Sequence, residues 1–181
     1  MEQGILTTQR LLLRPLALSD AKDVQRLAGH PLVADTTLSI PHPYPNGCAE
    51  LWIQRHPGQW AGDKEAHWAI TLRESGQLVG VIGLIIQRDH RRAEIGYWVG
   101  ADYWGKGYCT EAAREVVGHA FHKMRLHRVV GRHFARNPAS GRVMQKIGMT
   151  YEGCLREHAY KNGRYEDLAC YGILREQFGD R

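Results

Sequence analysis

Nowhere does the sequence approach the run of about eighteen uninterrupted apolar residues that a membrane-spanning helix needs, and its start lacks the basic-then-apolar pattern of a secretory signal. The expectation is an unexported, cytoplasmic chain with no membrane partner. The four cysteines, Cys48, Cys109, Cys154 and Cys170, are scattered, with no Cys-x-x-Cys pair, so neither a zinc ribbon nor a disulfide framework is indicated. No repeat, low-complexity tract or linker divides the 181 residues, which read as one domain, 1–181, long enough to bury a core. Concentrated charge is also missing. The net charge of +5 and pI near 9.1 come from dispersed residues. The densest cluster, Arg88, His90, Arg91 and Arg92, falls in a short connection between predicted strands, which fits a solvated turn better than a nucleic-acid groove. A diffuse positive excess suits a small polyanionic ligand.

What is present is an alternation of strands and helices. A strand is predicted over Ile5 to Leu13, then a helix with Ser19 as N-cap and Asp20 and Asp23 in its first turn. The Pro-rich connection Pro41 to Pro45 leads to a second helix carrying Trp52, Ile53 and Trp60. Strands follow at His67 to Leu72, Leu78 to Ile86 and Ala93 to Val99, the last with Ile95, Tyr97 and Val99 on one face and Glu94, Gly96 and Trp98 on the other. Ala112/Ala113, Val116/Val117, Ala120/Phe121 and Met124 recur at helical steps and mark a long amphipathic helix. Arg128 to His133 is the next strand. Asn137 with Pro138 starts another helix that ends at Gly148, and two long strands joined at Asn162-Gly163 form a hairpin. The fold class is α/β with a mixed, largely antiparallel sheet.

Between the strand at 93 and the long helix stands Asp102-Tyr-Trp-Gly-Lys-Gly-Tyr-Cys-Thr-Glu-Ala112. Gly105 and Gly107 admit backbone angles closed to other residues, and without Cβ they let a bulky anion approach the main chain. The amides of Gly107, Tyr108 and Cys109 then open a helix whose dipole amounts to about half a positive charge. A pyrophosphate fits. The spacing is wrong for a P-loop, because Gly-Lys-Gly is followed by Tyr, and wrong for a dinucleotide fingerprint, because Thr110 stands where a third glycine belongs.

The stretch closely resembles the glycine motif of the GNAT superfamily of N-acetyltransferases. The longer match, Ala93-Glu-Ile-Gly-Tyr-Trp through Tyr-Trp-Gly-Lys-Gly-Tyr-Cys-Thr-Glu-Ala, looks like the branch of ribosomal-protein alanine and serine N-terminal acetyltransferases. Thr8 to Pro15, Asn137 to Met149, Glu152 to Arg156 and Asp167 extend the likeness over most of the chain. Asp102 departs from the Gln or Arg common at its position, a loss the backbone cradle tolerates.

The resemblance implies a GNAT-type sheet with a splayed strand pair and flanking helices, and acetyl-CoA as co-substrate with no metal. Gly105, Lys106, Gly107, Tyr108 and Cys109 would hold the pyrophosphate. The amides of Tyr97, Trp98 and Val99 would meet the pantetheine and thioester, with Gly96 placed to permit a bulge, and Asn137 would touch the pantetheine arm while capping its helix. Glu94 resembles the base some members use through a water, against the alternative that it only pairs with a neighbouring Arg; Glu157 and Asp167 compete for the role. The tyrosine acid of many members is replaced by Met144, and Ser140 matches the serine of the ribosomal branch; it is equally an ordinary first-turn serine. His42, Tyr44, Trp52 and Trp60 would shape the acceptor side, with packing alone an equal account of the tryptophans, whereas His119, His122 and His127 read as a polar helix face and not a metal site.

Three functions stay open at this point: acetylation of a protein α-amine, foremost of a ribosomal protein; acetylation of a small amine such as a polyamine, antibiotic or amino acid; and a non-catalytic acyl-CoA-binding module. Monomer and homodimer both fit the sequence.

Overall fold

The computed structural model describes residues 3–179. The elements are β1 (Leu6–Thr7), β2 (Leu11–Pro15), α1 (Ala21–Ala28), α2 (Pro31–Asp35), α3 (Cys48–Ala61), β3 (Glu65–Leu72), β4 (Leu78–Gln87), β5 (Arg92–Val99), α4 (Tyr108–His122), β6 (Arg128–Phe134), α5 (Pro138–Lys146), β7 (Thr150–Lys161) and β8 (Arg164–Leu174). Among the described residues the strands form one sheet in the order β1-β2-β3-β4-β5-β6-β8-β7, antiparallel except for the β5–β6 pair. The mixed, largely antiparallel α/β architecture expected from the sequence is the one observed. No helix of the described residues is long and apolar enough to cross a membrane.

Three local expectations are corrected. The first strand is two, because Thr8 folds the chain back: its backbone N–H and its hydroxyl both engage Leu11 O, and β1 then pairs antiparallel with β2. Ser19 lies within a single 3₁₀ turn, and α1 starts only at Ala21. The residue that fixes this start is Asp20, whose buried carboxylate accepts from Ala17 N–H at 2.8 Å and from both Arg14 amino groups at 2.7 and 2.8 Å. The short helix α2 was not anticipated; Pro31 occupies its first position, and His30 Nδ1 accepts from Leu32 N–H.

Side chains on alternate sheet positions bury into two separate layers. On one face, α4 packs Ala112, Ala113, Val116, Val117, Ala120 and Phe121 against Trp68, Ile82, Leu84, Ile95 and Val129, all within the main core. On the other, Val24 and Leu27 of α1 and Ala49 and Ile53 of α3 meet Ala69, Val81 and the half-buried Trp98. At about 1.5–3 kcal/mol for each large apolar side chain buried, the two layers hold the sheet rigid between them. A rigid sheet allows two neighbouring strands to part without collapsing.

That parting occurs at β5. Its register with β4 runs unbroken from Gly80↔Val99 to Gln87↔Arg92, while its pairing with β6 stops at Ile95↔Gly131. The splayed pair is therefore present, but the bulge expected at Gly96 is not: β5 leaves β6 with no shift in its register on β4.

Candidate active site

Strand alternation decides which backbone groups of β5 face the gap. Gly100 N–H donates to Val79 O at 2.9 Å, so residues 94, 96 and 98 exchange hydrogen bonds with β4 and residues 95, 97 and 99 point the other way. The bond from His127 N–H to Arg91 O lies on that second side, in agreement. Tyr97 and Val99 thus present main-chain groups to the cleft where β6 has departed, and Val99 O takes a hydrogen bond from Trp104 Nε1 at 2.8 Å. Trp98, expected to offer its amide there, spends it on β4. Its indole instead faces the α1/α3 layer.

The glycine turn follows at once. Gly105 and Gly107 take φ of 75° and 82°, left-handed angles that strain any residue with a Cβ, and a Cβ on Gly105 would meet nothing within 4 Å. Helix α4 begins at Tyr108 with Gly107 as N-cap, and Glu111 N–H to Gly107 O is its first turn-closing bond. The preceding amides, those of Gly107 through Thr110, lie ahead of the helical ladder. Arg10 braces the turn: it donates to Lys106 O at 2.9 Å, lies 4.8 Å over the Tyr108 ring, and pairs with Glu111 at 2.7 Å. Burial opposes the Glu111 charge, but hydrogen bonds from Thr8 and Arg10 outweigh it and hold the carboxyl below its usual range. Lys106 Nζ sits 5.4 Å over the Tyr103 ring. Burial pushes the Cys109 thiol up to about 12, so it stays neutral and adds no repulsion to an anion. Beside the turn lies a cleft of about 440 Å³, bordered by Arg10, Gly107, Thr110, Arg114 and Lys146 together with the carboxylates Glu111 and Glu115. Glu111 is engaged by Arg10 and Thr8, and a backbone cradle open where side chains would stand fits a coenzyme A diphosphate.

Helix α5 closes the far side. Asn137 is its N-cap, yet its side chain makes no capping hydrogen bond. Ser140 does not bond back to its own helix through its hydroxyl; Oγ donates to the Tyr97 hydroxyl at 3.2 Å, and that hydroxyl donates to Ser140 O at 2.9 Å. Burial holds the Tyr97 phenol well above its ordinary value, so it remains protonated. Met144 is fully buried against Gly131 and takes no part. The sequence pointed to the Tyr97 backbone and missed its side chain, although the alternation that puts Tyr97 on the Ile95 face also puts it beneath α5.

On the opposite face, Glu94 is bidentate to Arg132, at 3.0 and 2.6 Å, at the rim of a polar recess of about 260 Å³ that Arg92, Glu152 and Cys170 also line. Of the competing carboxylates, Asp167 accepts from Glu157 N–H at 2.7 Å, across the irregular stretch of the β7–β8 pair. Trp52 sits edge-on to His56 and His67, while Tyr44 packs beside Gly29 and His42 Nδ1 lies 3.1 Å from Gly29 O. Trp60, expected in the same group, packs on the main core instead. His119 stands edge-on to Trp68, while His122 and His127 are exposed, His122 tilting over Phe178.

Comparison with known proteins agrees with this geometry. The description of an acetyltransferase (GNAT) domain matches residues 10–150. An uncharacterized N-acetyltransferase of Bacillus subtilis, YoaA, is 31% identical over 94% of this chain and 97% of its own length. The ribosomal-protein-serine acetyltransferase of Escherichia coli is 32% identical over 54% of this chain and 55% of its own. The crystal structure of a GNAT-family acetyltransferase from Bacillus anthracis superposes with a TM-score of 0.85 at 26% identity, covering 96% of this chain and 99% of that one. With a glycine cradle before α4, parted strands β5 and β6, and a family match across most of its length, the chain belongs to the GNAT family of acetyltransferases.

Proposed function

We propose that this enzyme transfers acetyl from acetyl-CoA to the N-terminal α-amine of a protein, a ribosomal protein foremost. The observation that carries the transfer is the wedge between β5 and β6, which joins the glycine turn to the open sheet face. Bound acetyl-CoA would supply an activated thioester carbonyl. Main-chain amides from Gly105, Lys106, Gly107, Tyr108 and Cys109 bind its diphosphate, with the N-terminal dipole of α4 behind them. Tyr97 and Val99 orient the pantetheine arm as an added strand-like partner, and the uncommitted Asn137 side chain meets it from α5. A Tyr97 or Val99 N–H directed at the thioester oxygen stabilises charge that gathers there. Ser140 and Tyr97, already hydrogen-bonded in series, hold a proton for the departing thiolate.

The reading of an α-amine rests on the commitment of the carboxylate expected as base, which suits the site to an amine that needs little help in losing its proton. Both oxygens of Glu94 are engaged by Arg132, which makes this carboxylate part of the acceptor entrance. An α-amino group with pKa near 8 is already partly neutral at about pH 7.5, whereas a lysine near 10.4 is neutral in only about one molecule in a thousand. The ribosomal-protein-serine relative supports the same class. Thiol release from acetyl-CoA, measured with short peptides beginning in Ser or Ala beside spermidine and an aminoglycoside, tests the proposal. Faster release with the peptides is expected; preference for a small amine overturns the acceptor class, and release with none of them leaves an acyl-CoA-binding module.

A further inference from the structure

The face of the sheet opposite α4 carries a row of paired positions, His67 on β3, Gly83 on β4 and Gly96 on β5. Two adjacent glycines leave a trough there. A Cβ on Gly96 would meet nothing within 4 Å, so the trough is open directly beside the point where β5 parts from β6. Alternation puts Trp98 on one side of the floor and Glu94 with the exposed Ile85 on the other. The face under α4 is occupied by the main core, which leaves this trough as the side from which an amine would approach.

His67 stands at its inner end. A Cβ on Gly83 would collide with His67 Nδ1, so the ring edge lies over the glycine floor. The other nitrogen, Nε2, is 2.8 Å from Glu65 Oε2. A carboxylate accepting from Nε2–H fixes the tautomer and leaves the Nδ1 lone pair as the basic position. His56 of α3 stacks on the ring at 4.5 Å and 23°, and Trp52 abuts both. His56 is itself buried with neither ring nitrogen hydrogen-bonded, and burial lowers it to about 3. It stays neutral, so it orients His67 without competing for a proton. The charged group in contact with His67 is Glu65 on its own strand; α3 brings Arg55 near His56, and Glu94 with its partner Arg132 stands two strands away on the same face.

We infer that His67, oriented by Glu65 and His56, is the base that takes the proton of the acceptor ammonium over the Gly83–Gly96 floor. One strand spacing of about 4.8 Å separates Gly83 from Gly96 and the wedge lies beyond β5, so a short chain of waters over the floor would join Nδ1 to the amine. In the step, the ammonium N–H proton passes to His67 Nδ1, and the freed nitrogen lone pair forms the bond to the thioester carbon. The C–S electron pair leaves with sulfur, the thiolate takes a proton from the Ser140–Tyr97 pair, and the second amine proton restores that pair. The inference rests on the amine-transfer reading above.

The test uses the full chain. Imidazole ¹⁵N NMR is expected to show His67 protonated at Nε2 and bare at Nδ1, with Glu65→Gln weakening that preference; a proton on Nδ1 overturns the inference whatever the enzyme acetylates. In thiol-release assays with a Ser-initiated peptide and with spermidine, His67→Gln should lower kcat about a hundredfold near neutral pH. KM for acetyl-CoA should stay unchanged, and the deficit should shrink as pH rises and the ammonium loses its proton unaided. Glu65→Gln, altered at a half-exposed position, should lose about tenfold. Unchanged kcat in His67→Gln, or a loss confined to acetyl-CoA affinity, overturns the role. A wild-type chain that binds acetyl-CoA yet acetylates neither amine fails the transfer reading instead, and the NMR result still decides His67.

Discussion

The glycine turn before α4 and the floor of the open sheet face are each built on two glycines, for opposite reasons. Gly105 and Gly107 sit at φ of 75° and 82°, where a side chain is strained whatever the surrounding space. Gly83 and Gly96 lie in regular antiparallel register, and what they provide is volume: one leaves room for the His67 ring, the other leaves room for nothing yet in place. In the proposed reading the first pair shapes a backbone that would grip a diphosphate, and the second would clear a path for an amine. Conformation is needed where the ligand is bound by main-chain amides, and space is needed where it is met by side chains.

The sharpest way to break this comparison is Gly107→Val. Left-handed strain of about 1–2 kcal/mol and added methyls in the cradle should abolish acetyl-CoA binding by calorimetry, with helix content kept. Retained affinity would show that the turn does not hold the diphosphate. On the other floor, Gly96→Val should leave acetyl-CoA affinity within about twofold, because the strand favours a β-branched residue and the space is open, yet cut acceptor turnover about tenfold. Loss of cofactor binding in that variant would erase the distinction between the two pairs. Between the two regions, Ser140→Ala should slow turnover several-fold at unchanged cofactor affinity, and equal turnover would remove the Ser140–Tyr97 relay.

The smallest effect concerns the brace beneath the turn. Because Glu111 is held below its usual carboxyl range, its contribution to stability is present above the unfolded value of about 4.3 and is lost as pH falls through the folded one. Glu111→Gln should therefore cost about 1 kcal/mol in urea unfolding near neutral pH and progressively less as pH falls below about 4. An undiminished deficit at low pH would mean that shape, and not charge, secures Arg10.

Residues 102–112 and the periodic apolar positions of α4 showed the glycine turn and the helix that follows it, because both depend on local backbone rules and on a 3.6-residue repeat. Asn162-Gly163 showed the closing hairpin for the same reason, and the structure places both residues at positive φ. The break at Thr8 was hidden, since it depends on Thr8 and Arg10 meeting Glu111 about a hundred residues away. The first helix start was hidden too, because Arg14 and not a capping hydroxyl holds Asp20. Glu94 could be named as a carboxylate on the right strand, but its engagement by Arg132 across the sheet is a fact of pairing.

The sequence by itself determined the element order from α3 onward, the glycine turn and the family, all of which reside in short spans where each residue constrains its neighbours. Only the tertiary structure decided where β6 leaves β5, which amides that exposes, and that His67, Gly83 and Gly96 share one row. Strand register joins residues far apart in the chain, and no local rule of propensity or spacing carries that information.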